Sequence, residues 1–466
     1  MQSEQDWIGR IDENEQNGAA ERYKYFMRPE PREDLGPIEL IDDPYLGRNA
    51  KVRNMKIGMM RNAKDENKRN VRVYLKPFPH IRIDNAKPLQ GWYQSLHNES
   101  PRSRPRPCFT DAILTEPYGG YCAVGCAFCY INSGMRGYRG SGLISVPLEY
   151  GQQIRGQLSK INRSAAGYFS SFTDPFTPLE NYYHNTQRAA EAFVDVGLPI
   201  FFLSRLSYPE WAIELLEQNP HSYAQKSINT SDPDDWRLLS PGAISLEDHL
   251  NEIAKLHDRG IYVSIQVNPI IAGVTSHGQI IKLFSMLREA GADHVIVKFV
   301  EAAYSWAPAM VEKMKRRFGE ERGGEFEKLF TQNIGSERTI EEDYRMRGHH
   351  LYRAAATKVG LTYATCYEYE YERDEKGKIL SKTGISVGRK FTTADQCHGH
   401  RVPMYKRVSK DRFAPLDECP PSGCLYCASE NNGEPRCGDS LAGEAKALRL
   451  VDLKVPFHLQ NKDRDA

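Results

Sequence analysis

An alternation running through the middle of the chain constrains its fold more than any other feature. Short β-branched and aromatic runs trade places with amphipathic helical stretches. One repeat shows the grammar. Ser245 is placed to cap a helix, Asp248 sits three residues on, and Leu246, Leu250, Ile253 and Leu256 make one apolar stripe. Gly260 closes that helix, and a β-branched run over 261–267 follows as a strand. A second helix near Gln279–Ala290 stops at Gly291, ahead of a strand at His294–Val300. The remaining strands fall at Ala112–Thr115, Gly167–Phe172, Pro199–Ser204 and Ser222–Asn229, and Tyr262–Val267 completes the set. Strands alternating with helices predict parallel pairing through helical crossovers. About six such units predict an α/β fold in the form of an open, partial barrel, with ligands at the carboxyl ends of its strands.

At 466 residues the chain exceeds one compact domain. Three regions are expected. Residues 1–107 form a charged extension that closes on a proline-arginine linker over 101–107. Residues 108–335 hold the alternation. Residues 336–466 carry one helical stretch and then cysteine-rich loops, as a separate small domain or a cover on the barrel. The overall charge of +1 hides a basic block. Residues 48–107 contain fifteen Lys and Arg against four Asp and Glu, behind an acidic start. Such a block suits a phosphate backbone, and Trp92 and Tyr93 beside it suit base stacking. A solvated surface arm explains the charge equally well.

A hydrophobic fraction of 40% and a charged fraction of 26% fit a soluble globular protein. The start lacks a signal-peptide pattern, and no apolar run approaches the roughly 20 residues of a membrane span. A cytoplasmic protein without membrane contact is the simplest expectation. Its ten cysteines then point to metal rather than disulfides.

Cys122, Cys126 and Cys129 lie within eight residues, in a glycine-rich loop after the first expected strand. Thiolates are the usual ligands of iron–sulfur clusters, and three of them leave one iron of a cubane open to a small chelating molecule. Zinc, or three buried cysteines, is the competing interpretation, but zinc normally wants a fourth ligand nearby. A second group, Cys419, Cys424, Cys427 and Cys437, spans nineteen residues and suits another [4Fe–4S] cluster or tetrahedral zinc, with Cys397 as a spare.

The first string, Cys-x-x-x-Cys-x-aromatic-Cys with Phe128 in the aromatic place, resembles the radical S-adenosylmethionine (SAM) signature. The strings over 169–180, 239–245 and 267–273 are similar to the spore photoproduct lyase branch, the DNA repair photolyase type, over about residues 108–300. The resemblance implies a partial (β/α)6 radical SAM barrel with a basic N-terminal extension and a C-terminal cysteine-rich metal-binding domain. It implies a [4Fe–4S] cluster and SAM, an adenosyl radical that takes hydrogen from substrate, and an electron donor such as flavodoxin or ferredoxin. It places SAM against Phe128, Ser171, Thr173, Asp174, Ser204 and Asn268, and further against Arg205, Gln266 and Lys298. An N-cap or ordinary surface polarity is the plainer role for each.

One departure bears on the reaction. The branch carries a hydrogen-donating cysteine where this chain has Phe172. A phenyl ring cannot donate that hydrogen, so Cys366 is the substitute candidate, and a buried structural cysteine is its plainer role. The reaction the resemblance favours rearranges or modifies a thymine-derived base in DNA. The alternatives are a radical SAM enzyme acting on a peptide or small metabolite, and a non-catalytic iron–sulfur protein that binds nucleic acid.

Overall fold

The computed structural model describes residues 72–75, 78–83, 89–93, 112–120, 122–129, 144–147, 149–159, 163–170, 172–394 and 396–416. At its centre is an eight-stranded sheet. In chain order its strands are β1 (Leu89–Tyr93), β2 (Ala112–Thr115), β3 (Ala166–Phe169), β4 (Ile200–Ser204), β5 (Tyr223–Ser227), β6 (Val263–Ile270), β7 (His294–Phe299) and β8 (Thr362–Thr365). They lie side by side in the order β8-β7-β6-β5-β4-β3-β2-β1. Only β1 runs antiparallel to its neighbour, so seven strands are parallel.

Helices make the crossovers. They are α1 (Tyr150–Leu158), α2 (Asn185–Val194), α3 (Glu210–Glu217), α4 (Pro233–Leu239), α5 (Leu246–Asp258), α6 (His277–Glu289), α7 (Ala307–Leu329) and α8 (Glu342–Val359). Their starts follow from side-chain chemistry. Asp232 accepts from the Asp234 and Asp235 amides, with Pro233 opening α4, and Ser245 accepts from the Asp248 amide. Ser276 and Gln279 form a reciprocal capping box on α6. The stripe Leu246, Ile253 and Leu256 of α5 is buried together with His249, against strands buried on both faces. Two covered faces are what a parallel sheet requires.

All six expected strands are present, within a few residues at their ends. The sequence reading missed β8. It is four residues long and follows two helices, which hides its period, yet it pairs with β7 from His294↔Thr362 to Val297↔Thr365. The expected third region begins after residue 335. Residues within it complete the sheet and cover the amino ends of its strands. There the His294 ring meets the Cys397 carbonyl at 2.8 Å, and His398 Nδ1 meets the Tyr223 hydroxyl at 2.5 Å. Gly399 has φ 83°, and a Cβ on it would lie 2.3 Å from His294, so the turn packs only as glycine. The strand Tyr405–Ser409 then pairs with Arg163–Ser164 on the barrel's flank. Among the described residues no helix is long and apolar enough to cross a membrane.

Candidate active site

The carboxyl ends of the strands surround one cleft. Its wall holds Cys122, Cys126, Phe128 and Cys129 from the loop after β2, Thr173 and Asp174 after β3, and Ser204 and Arg205 at β4. Ser227 of β5, Gln266 and Asn268 of β6, and Lys298 and Glu301 at β7 complete its polar lining. Eight of the nine residues assigned to SAM thus line the same cleft as the three cysteines. Ser171, the ninth, lies outside the described residues, as do Cys419, Cys424, Cys427, Cys437 and most of the basic block.

The cysteine loop is held by backbone contacts. Gly125 takes φ 62°, and its amide and that of Cys129 close two turns on Cys122 and Cys126. The Ala127 amide donates to Leu239 at 2.8 Å, and the Gly242 amide donates to Val124 at 2.9 Å. A Cβ on Gly242 would sit 2.4 Å from the Ala123 carbonyl oxygen, so this close approach also requires glycine.

Arg205 links the loop to the far wall. Its guanidinium donates to Ser240 Oγ at 3.1 Å and to the Asn268 carbonyl at 3.0 Å, and lies 5.1 Å from the Phe128 ring and 5.2 Å from Trp236. Ser240 Oγ is itself 3.4 Å from Cys126 Sγ. Gln266 donates to Gln225 at 2.9 Å, and Asn268 donates to Gln266 at 3.4 Å, which orders the amides along β6.

Asp174 is less free than the sequence suggested. Its carboxylate accepts from the Ser204 hydroxyl at 2.9 Å, the Arg205 amide at 2.8 Å and the Phe176 amide at 3.0 Å. It ties the ends of β3 and β4 together, and its burial holds its pKa above the ordinary carboxylate value. Sequence reasoning passed over Glu116. From the end of β2 it accepts the Thr173 amide at 2.8 Å, and one oxygen lies 2.6 Å from the Thr173 hydroxyl. An acid immediately after a strand that feeds the cysteine loop was the available signal. Ser240, Trp236 and Glu301 were missed as well, because nothing local marks them.

At the end of β7 Lys298 donates to Glu301 at 2.9 Å and lies 4.8 Å from the Tyr367 ring. Burial opposes its charge, but the Glu301 carboxylate more than offsets that, and its pKa stands above the ordinary lysine value. Cys366 is not part of the cleft wall. The register of β8 on β7 sets it beside Lys298, with its amide donating to Val297 at 2.9 Å, and burial pushes its thiol up to about 12.

The three thiols suit an iron–sulfur cluster. They line one cleft whose described wall holds no fourth cysteine and no histidine, and among the described residues no three His, Cys, Asp or Glu converge on a single metal ion. Burial raises the Cys122 thiol well above its usual value, with Asp174, Cys126 and Cys129 adding to it. A cationic metal core reverses that preference and holds the thiolates ionised.

No family model matches the chain. A Pseudomonas phage M6 protein, named radical SAM Nalpha-GlyT isomerase, is 61% identical over 452 residues, covering 95% of this chain and 94% of the phage protein. The chain belongs to the radical SAM family. It is a radical SAM enzyme. Among solved structures, spore photoproduct lyase complexed with dinucleoside spore photoproduct is similar at a TM-score of 0.43 and 14% identity, over 60% of this chain and 81% of that one. Streptococcus suis SuiB is similar at a TM-score of 0.35 and 13% identity, over 54% and 48%.

Family membership implies a [4Fe–4S] cluster and SAM. When bound, the pair supplies abstraction of a hydrogen atom from substrate. Cys122, Cys126 and Cys129 would hold the cluster. Phe128, Arg205, Gln266 and Asn268, all beside it on the wall, would hold the cosubstrate.

Proposed function

We propose that this enzyme isomerises a glycine unit joined through its α-nitrogen to a thymine-derived base in DNA. The observation that carries the proposal is the 61% identity, over nearly the whole chain, to a phage protein named Nalpha-GlyT isomerase. We take the T of that name as thymine. The basic block at 48–107 supports a nucleic-acid substrate through phosphate contacts. A base inside a duplex would first be flipped out, at a cost of a few kcal/mol.

Isomerisation neither adds nor removes atoms, so for each hydrogen taken from the substrate one hydrogen is given back to the product. Phe172 fits that requirement, since no dedicated external donor is needed where the lyase branch keeps its cysteine. Cys366, beside Lys298, is the second candidate for the return step. Full product yield from Cys366→Ala would exclude it. Within the cleft, Arg205 binds the SAM carboxylate, Phe128 flanks its adenine, and Gln266 and Asn268 address its polar groups. Thr173, Asp174 and Ser204 shape the strand ends around it, and Ser171 keeps its assignment to SAM from the sequence alone. An electron donor of the flavodoxin or ferredoxin class reduces the cluster.

The name also permits a second reading, glycine followed by threonine in a peptide. The test sets the two substrates side by side. Reconstituted, reduced enzyme receives SAM and either DNA bearing the glycyl-thymine or a peptide beginning Gly-Thr, and the products are weighed and separated. An isomer of unchanged mass from the DNA alone supports the proposal, and an isomer from the peptide alone overturns it. The cysteines at 419, 424, 427 and 437 are proposed to hold a second cluster or zinc. Iron and zinc content of a Cys122/Cys126/Cys129→Ala variant identifies which.

A further inference from the structure

The cleft has two cationic side chains, on strands three apart in the sheet, and the reaction proposed above has two carboxylates to place. Arg205 belongs to the thiol side. Its guanidinium reaches Ser240, which touches Cys126, and it packs on Phe128 of the same loop. Lys298 is elsewhere: β7 lies three strands from β4 and five from β2, which feeds the cysteine loop. With a cluster held by the three cysteines, the SAM carboxylate would fall to the Arg205 side. The other carboxylate is that of a glycine attached through its nitrogen.

Resting on that reading of the substrate, we infer that Lys298 and Glu301 together form the glycyl-recognition site, Lys298 taking the carboxylate and Glu301 the α-ammonium. A glycine joined only through its nitrogen carries a negative and a positive charge two bonds apart. Lys298 and Glu301 present the opposite charges side by side on the cleft wall, 2.9 Å apart. Both side chains are mostly withdrawn from water, so their charges act at low screening. An ammonium has three donors, and the Glu301 oxygen accounts for one of them.

The backbone opposite them is built for placement. Tyr367 holds φ 57°, a left-handed conformation that non-glycine residues adopt at a cost, and its ring lies over Lys298 Nζ. The segment that brings Tyr367 there is anchored one residue on. Glu368 accepts from Arg345 at 3.1 Å and meets His349 Nε2 at 3.1 Å, and all three are buried. The same assignment separates the two readings of the substrate, because a glycine followed by threonine has no free glycine carboxylate for Lys298 to take.

The test is binding, with SAM present and no reductant. The probes are single-stranded oligonucleotides carrying thymine, glycyl-thymine or the neutral glycinamide-thymine. Wild type should hold the glycyl probe at least about tenfold tighter than the amide, as loss of a charged hydrogen-bond partner implies. Lys298→Met should erase that preference while SAM affinity stays within about twofold, and Glu301→Gln should weaken the glycyl probe alone. Equal wild-type affinity for glycyl and amide probes overturns the inference without needing any variant. So does a preference that survives in Lys298→Met, or SAM affinity that falls with it. If wild type holds plain thymine as tightly as glycyl-thymine, the substrate reading itself fails, and the site assignment with it.

Discussion

At the scale of single residues, the cleft depends on a few groups whose replacement has a computable consequence. Asp174 gathers two amides and a hydroxyl from the ends of β3 and β4 while buried. Asp174→Ala leaves those donors unpaired and should lower stability by about 3 kcal/mol, from roughly 1–3 kcal/mol per orphaned group with partial relaxation. Urea unfolding measures it. Gly242→Ala drives a methyl into the Ala123 carbonyl. The cysteine loop must shift, so iron loading of the reconstituted protein should fall severalfold while far-UV circular dichroism is unchanged. Arg205→Lys keeps the charge but loses the planar fork that reaches both Ser240 and the Asn268 carbonyl. SAM affinity should drop by about tenfold or more, the worth of one charge-assisted hydrogen bond. Of these residues the sequence revealed Asp174 and Arg205 through their place after expected strands. It gave no hint that Asp174 is consumed by neighbours, because hydrogen-bond saturation is a property of packing across 30 residues.

At the scale of elements, the sheet was legible because each parallel strand carries its own signal. A fully buried β-branched run followed by a capped helix needs no knowledge of its partners. Ser245 and Ser276 mark two helix starts by chemistry that is local in sequence. β8 was illegible for the converse reason. Thr362-Tyr-Ala-Thr365 is short and only partly apolar, and it is a strand because β7 offers it an edge. Its placement matters to the site, since it sets Cys366 and Tyr367 beside Lys298. The buried Arg345–Glu368–His349 group fixes the segment that follows. Glu368→Gln leaves Arg345 without its counter-charge. It should cost about 3 kcal/mol, as breaking a buried pair does. It should also loosen the glycyl probe more than it loosens SAM, measured on the same protein.

At the scale of the whole molecule, the barrel is closed at its amino end by the turn around Cys397–His400 and open at its carboxyl end to reactants. The closed end is acid-sensitive. Burial pulls the His294 ring down to about 4 from its ordinary 6.5, and it moves His221 and His400 in the same direction. A ring neutral in the fold and protonated when unfolded lends stability that is complete above pH 6.5 and drains away as pH falls toward 4. For His294 alone the loss amounts to about 3 kcal/mol at its limit. Glu180 has the opposite sign. Burial lifts its carboxyl to about 7, so its contribution is present below pH 4.5 and lost as pH rises through 7. Unfolding free energies of His294→Gln should therefore vary less between pH 6.5 and 4.5 than those of wild type.

The central claim is that the cleft removes and returns one hydrogen of a glycine carried by a thymine base. DNA whose glycyl-thymine is deuterated at the α-carbon tests it directly, with mass spectrometry of SAM, 5′-deoxyadenosine and the recovered nucleoside. The account predicts deuterium at the 5′ carbon of the adenosyl group, in SAM and in any 5′-deoxyadenosine released, together with a rearranged nucleoside of the starting composition apart from isotope. An unlabelled adenosyl group beside an unaltered nucleoside would contradict it.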